Sequence, residues 1–165
     1  MVTINELNQC KESDFVEILK DIFEHSPWIP KKVLHYSPFS SLEDLHDKMV
    51  QIVIDAPYEE KLALIKAHPN LGTRIEMSSS SVKEQMGAGL NQLSPEEYES
   101  FSIINKQYME KFSFPFIMAV RGQTKGDIYS AMKLRVNNEK AVEFEKALSE
   151  VYKIALFRLK ELINK

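Results

Sequence analysis

One cysteine, five glycines and no long apolar run characterise this 165-residue sequence by what it lacks. Cys10 alone cannot close an internal disulfide, and a multi-cysteine metal cluster is excluded with it. The glycines do not gather into a phosphate-binding loop, and no nucleophile elbow is present. No stretch approaches the ~20 apolar residues that a membrane span requires. A formal charge of −3 and a pI near 5.9 leave no basic footprint for nucleic acid. His25, His35, His46 and His68 are too far apart for a His-x-x-x-His zinc pair, and no glutamate–histidine motif joins them. The opening MVTINELNQC lacks the basic flank and apolar core of a secretory signal. The closing Ile163-Asn164-Lys165 is not a peroxisomal address, so the expected compartment is the cytoplasm.

What is present reads as helix. Hydrophobic residues make up 44% and charged residues 27%, a balance that folds rather than staying disordered. Thr3-x-x-Glu6 predicts a capping box for a short first helix, and Ser13 is expected to cap a second that carries Phe15, Ile18, Leu19, Ile22 and Phe23. Ser26 to Pro30 reads as a turn into a short helical piece with Val33 and Leu34. Ser41-x-x-Asp44 opens a helix with Leu45, Met49, Ile52 and Val53 on one face. Residues 57–67 form the next, which stops at Pro69 because proline carries no N–H and pushes its predecessor out of the α region. Ser81-Val82-Lys83-Glu84 has a capping-box pattern, and Ser94-Pro95-Glu96-Glu97 sets cap, first-position proline and carboxylate in order. That helix runs to about Phe112. Thr124-x-x-Asp127 caps another to about Val136, and Asn137-Asn138 separates it from a long last helix with Val142, Phe144, Leu148, Val151, Ile154, Ala155, Leu159 and Leu162. No repeat or linker interrupts the chain. The expectation is one all-α domain, residues 1–165, of about eight helices.

Two stretches carry potential chemistry. His68 ends one helix a few residues before the hydroxyl of Ser81 and the carboxylate of Glu84 at the start of another. The run Phe112-Ser113-Phe114-Pro115-Phe116-Ile117-Met118-Ala119-Val120 is broken by proline yet too apolar for an exposed loop. The chain offers no second strand to pair with it, so it is expected to be extended backbone buried against helices, with N–H and C=O groups that need partners. A polar ligand can supply them, and so can side chains or water. Each single residue also has an ordinary structural role: His68 can favour the helix dipole, Ser81 and Glu84 can cap, Arg158 can lie over apolar surface, and the phenylalanines can be core. With histidine, carboxylate and arginine as its tools, a catalyst here works without metal or nucleotide, which suits proton transfer or decarboxylation.

Four motifs in order carry a resemblance. They are His68-Pro69-Asn70-Leu71; Ser81-Val82-Lys83-Glu84-Gln85 with Gly89-Leu90; Asn105-x-x-Tyr108-x-x-Lys111-Phe112-x-Phe114-Pro115-Phe116; and Glu150-Val151-x-Lys153-Ile154-Ala155-x-x-Arg158-Leu159. Together they resemble the 2-oxo-4-hydroxy-4-carboxy-5-ureidoimidazoline (OHCU) decarboxylase family of uric acid degradation, from about Leu7 to Leu162. The likeness is greatest to bacterial forms, some of which are fused to a uricase domain. It implies a compact all-helical fold, often a homodimer, that needs no cofactor or metal and turns OHCU into (S)-allantoin and carbon dioxide. By the resemblance, His68 is the proton donor, Glu84 its catalytic partner, and Arg158 the arginine that completes the site. Pro69, Ser81, Val82, Lys83, Glu84 and Gln85, with Phe116, Ile117, Met118, Ala119 and Val120, match the segments that contact substrate. Asn70 and Ser113 depart from the family's usual aspartate and glycine. Outside the resemblance, the same tools would serve another cofactor-free lyase or isomerase of ureido or imidazole compounds, and the helices alone would serve a non-catalytic interaction module.

Overall fold

The computed structural model describes residues 1–69, 90 and 93–164. Among them are eight α-helices, one 3-10 turn and a two-residue pair of strands, grouped in two compact units. The helix expected from Ser81, with Ser81, Val82, Lys83, Glu84 and Gln85, lies outside the described residues, as does Asn70.

The first unit joins Met1–Ala67 to Tyr152–Lys165. It contains α1 (Ile4–Gln9), α2 (Glu12–Leu19), α3 (Trp28–Val33), the 3-10 turn Leu34–Tyr36, α4 (Leu42–Ile54) and α5 (Tyr58–Ala67). Thr3 opens α1 with the expected box: its hydroxyl accepts the Glu6 N–H at 3.1 Å, and its own N–H donates to the Glu6 carboxylate at 3.3 Å. Ser13 does not cap α2. The Phe15 N–H already donates to the Lys11 carbonyl at 2.9 Å, so the helix starts at Glu12 and Ser13 falls within its first turn. Glu12 and Asp14 sit in that turn, where the positive end of the helix dipole favours carboxylates. Ser41 caps α4, whose Leu45, Met49 and Val53 recur every fourth residue and are wholly buried. The ends of the chain add the strands the helical reading omitted: β1 (Val2–Thr3) pairs in parallel with β2 (Ile163–Asn164).

The second unit is His68–Val151. Its described helices are α6 (Pro95–Phe112), α7 (Lys125–Arg135) and the first half of α8 (Lys140–Leu162), whose second half belongs to the first unit. Ser94 and Thr124 both close capping boxes, with Pro95 in the first turn of α6. The Lys125 ammonium, and after it the Ser94 N–H, hold the Glu97 carboxyl below its usual range. Tyr108, Phe112, Phe114, Phe116 and Phe144 form an aromatic cluster, with ring centroids 4.6 Å apart for Tyr108–Phe112 and 5.3 Å for the edge-on Tyr108–Phe116 pair. Val142, named among the apolar residues of the last helix, is 55% exposed, because the buried stripe of α8 runs through its neighbour Glu143 instead.

Between α6 and the aromatic run, Ser113 takes the left-handed conformation at φ 60°, ψ 24°, and its N–H donates to the Met109 carbonyl at 2.8 Å. Serine therefore holds the backbone turn for which glycine is the unstrained choice. A Ser113→Gly variant is expected to gain ~0.5–1 kcal/mol, because the relieved left-handed strain exceeds the extra unfolded-state entropy of glycine. Urea unfolding reads this directly. A lower midpoint would mean that the serine side chain contributes more than its conformation costs.

Candidate active site

Of the residues singled out from the sequence, Arg158 lies in the first unit. It extends from α8 and is 4% exposed. One terminal nitrogen donates to the Asp21 carbonyl at 3.0 Å and the other to Glu24 Oε1 at 2.9 Å. Glu24 is as deeply buried, at 1% exposure, so two charges sit together out of water. Such a pair is held by geometry as well as attraction, since either member alone would be an uncompensated buried ion. The chain reaches this arrangement by a turn at His25, whose φ of 44° lies in the left-handed region, with the Ser26 hydroxyl donating back to the Glu24 carbonyl at 2.8 Å. The guanidinium is thereby fixed in position before any ligand arrives.

In the second unit, His68 is the first residue beyond α5, as the proline rule requires, and it is 7% exposed while Pro69 is half-buried. The imidazole does not project from the packed face as a solvent-facing helix end would. The second feature is the aromatic run. Residues 115–120 belong to no helix or strand, and Phe116, Ile117, Ala119 and Val120 are buried. Its backbone is therefore obliged to find partners off the segment, and two are charged side chains. Arg135 donates to the Ile117 carbonyl at 2.7 Å, and the Ala119 N–H donates to Glu150 Oε1 at 3.2 Å. Arg135 also lies 4.2 Å from the centre of the Phe116 ring.

Behind this contact is a buried polar network. Glu143 Oε1 accepts Arg135 Nε at 2.7 Å and the Tyr108 hydroxyl at 2.6 Å, and Glu143 Oε2 accepts the Asn138 amide at 3.1 Å. Burial, reinforced by the hydrogen bond to Glu143, pushes the Tyr108 hydroxyl far above the ordinary phenol range, so it stays a donor at any working pH. Among the described residues, no group of three or more His, Cys, Asp or Glu is placed to hold a metal ion.

Of the residues singled out from the sequence, His68, Pro69 and residues 116–120 lie in the second unit and Arg158 in the first. Glu24, Arg135, Glu143 and Glu150 were not assigned roles from the sequence, although Glu143 and Glu150 carried a signal. Glu143, Ala147, Glu150, Ile154 and Arg158 follow one another at spacings of three and four, so they share one face of α8. That face is buried throughout, with Glu143 at 0% and Glu150 at 4%. Three charges on an apolar stripe are a recognisable demand for buried partners.

A family model described as OHCU decarboxylase matches residues 8–160. The chain is 48% identical over 164 residues to the uric acid degradation bifunctional protein PucL of Bacillus subtilis (strain 168), covering 99% of this chain and 33% of that protein. It thus spans about a third of the length of that relative. It is 44% identical over 161 residues to the 2-oxo-4-hydroxy-4-carboxy-5-ureidoimidazoline decarboxylase of Halalkalicoccus jeotgali, covering 98% of this chain and 92% of the relative. Among solved structures, the crystal structure of an (S)-allantoin synthase superposes with a TM-score of 0.83 at 30% identity, over 98% of this chain and 54% of that one.

Proposed function

Because this chain belongs to the OHCU decarboxylase family, we propose that it decarboxylates 2-oxo-4-hydroxy-4-carboxy-5-ureidoimidazoline to (S)-allantoin and carbon dioxide, as a carboxy-lyase of uric acid degradation. The observation that carries this reading is the family match over residues 8–160, joined by 44% identity to a decarboxylase of which the chain covers 92%. The same coverage supports treating residues 1–165 as one domain of this family.

The chemistry needs three things. The bond to the carboxylate breaks as its electron pair moves into the adjacent ring C=N system, negative charge on substrate oxygen is steadied, and a proton is delivered to one face of the intermediate. Arg158 supplies the cation, and its fixed, buried setting strengthens that contact by excluding water. His68 supplies the proton, and delivery from one side sets the handedness of the product. Glu84 orients the imidazole or the substrate and favours the charged ring. Pro69, residues 81–85 and residues 116–120 bind the substrate, the last partly through backbone groups. No cofactor or metal enters the scheme.

The same reading takes the protein to be a cytoplasmic homodimer that works alongside a uricase. In its support, a relative is a bifunctional uric acid degradation protein, and Tyr98 and Ile103 of α6 are 59% and 52% exposed, suiting a second copy. Light scattering reads the mass. The activity test supplies fresh OHCU from urate with uricase and hydroxyisourate hydrolase and follows the circular dichroism of the product. A dichroic signal rising faster than the spontaneous decay is expected. A signal no different from buffer, with the protein folded, would end the proposal.

A further inference from the structure

If residues 116–120 bind substrate through backbone groups, something must hold that backbone still, because the segment has neither a helical nor a strand ladder of its own. Two of its backbone groups are held by charged side chains. The Ile117 carbonyl takes the Arg135 guanidinium at 2.7 Å, and the Ala119 N–H goes to Glu150 Oε1 at 3.2 Å. Hydrogen bonds with one ionised member are the strong class, and here every partner is buried, with Arg135 at 6% and Glu150 at 4% exposure.

The anchored groups belong to alternate residues. In extended backbone, the N–H and C=O of one residue point to the same side and those of the next to the opposite side. We take the run to be extended at these residues, so that binding Ile117 and Ala119 toward α7 and α8 turns the N–H and C=O of Met118 away from those helices. The side chain of Met118 is half-buried while those of Ile117 and Ala119 are buried. Arg135 is itself immobilised, by Glu143 at 2.6–2.7 Å and by its stacking on Phe116 at 4.2 Å. Glu150 is likewise steadied by the Lys146 ammonium, 3.6 Å away on the preceding turn of α8.

We propose that Arg135 and Glu150 are positioning residues of the decarboxylase, gripping the backbone at Ile117 and Ala119 so that the peptide groups of Met118 are presented to substrate in a fixed orientation. This rests on the decarboxylase reading above and adds two residues to it, neither of which touches substrate. The grip works in the ground state and in the transition state alike. Its loss should therefore weaken binding first, and turnover only through binding.

The test measures KM for OHCU, kcat, and the inhibition constant of (S)-allantoin in four proteins: unmodified, Glu150→Gln, Glu150→Leu and Arg135→Lys. Glutamine keeps an acceptor for the Ala119 N–H, leucine removes it, and lysine keeps a cation beside Glu143 but loses the fork that reaches Ile117. Glu150→Leu and Arg135→Lys are expected to raise KM and the inhibition constant about tenfold or more, the scale of one charge-assisted hydrogen bond. Glu150→Gln should stay within about threefold of the unmodified protein, because the bond it keeps is weaker but present. Should Glu150→Leu fail to fold, Arg135→Lys carries the same test from the other anchor. A folded variant with unchanged KM and inhibition constant overturns the proposal, and so does a fall in kcat alone, which is what a smaller folded fraction produces. If the unmodified protein forms no (S)-allantoin above the spontaneous rate, the decarboxylase reading itself has failed and takes this inference with it.

Discussion

A His68→Gln variant is expected to lose about 10²–10⁴-fold in the rate of (S)-allantoin formation while keeping its helical content and melting behaviour. Glutamine approximates the length of the imidazole and can hydrogen-bond, but it cannot release a proton at neutral pH. The packing should tolerate it, since His68 lies just past the end of α5 and contributes to no helical turn. Burial sharpens the expectation, because at 7% exposure little solvent can reach the position to replace the missing acid. Residual product should lose handedness, because an intermediate that leaves the site unprotonated takes its proton from solvent on either face. Turnover and optical purity both equal to those of the unmodified protein would remove His68 from the chemistry.

The largest loss of stability is expected from Glu143→Leu. Glu143 is 0% exposed and receives the Arg135 guanidinium, the Tyr108 hydroxyl and the Asn138 amide. Removing the carboxylate strands a buried guanidinium, an effect worth ~3–5 kcal/mol, and leaves a buried hydroxyl short of its acceptor, worth ~1–3 kcal/mol more. Against a total stability of about 5–15 kcal/mol, this single change should leave much of the protein unfolded. The paired substitution Glu143→Leu with Arg135→Met should recover a large part of the loss, since the stranded charge goes with it. Urea unfolding of the three variants tests this. If the single change costs under ~1 kcal/mol, the network is not what holds the second unit together.

Most of the helices were legible because their starts are written locally. Thr3, Ser41, Ser94 and Thr124 each cap as the spacing predicts, a hydroxyl and a backbone N–H three residues on being all that is required. Ser13 misled for the same reason: the motif allows a cap, while the carbonyl that starts the helix belongs to Lys11. The buried, irregular course of residues 115–120 was also readable, from proline inside an apolar run. What anchors it was not. Arg135 lies 18 residues from Ile117, and Glu150 lies 31 from Ala119, so neither contact leaves a local trace. The β1–β2 pairing was equally hidden, because two residues are too few to show an alternation and their partners stand at opposite ends of the chain. Glu24 escaped notice because its partner is 134 residues away and the turn read from the sequence begins only at Ser26.

The division of the chain also fixes an order in time. Residues 68–151 form a unit from one continuous stretch, while the unit begun by residues 1–67 is completed only by residues 152–165. On a ribosome adding about 5–20 residues per second, the earlier segment must therefore wait several seconds, its apolar side chains unsheltered, for the last turns of α8 to emerge. The later-made unit is the one free to fold first. A nascent chain arrested shortly after residue 151 clears the exit tunnel should resist protease within residues 93–151 and be cut readily within residues 1–67.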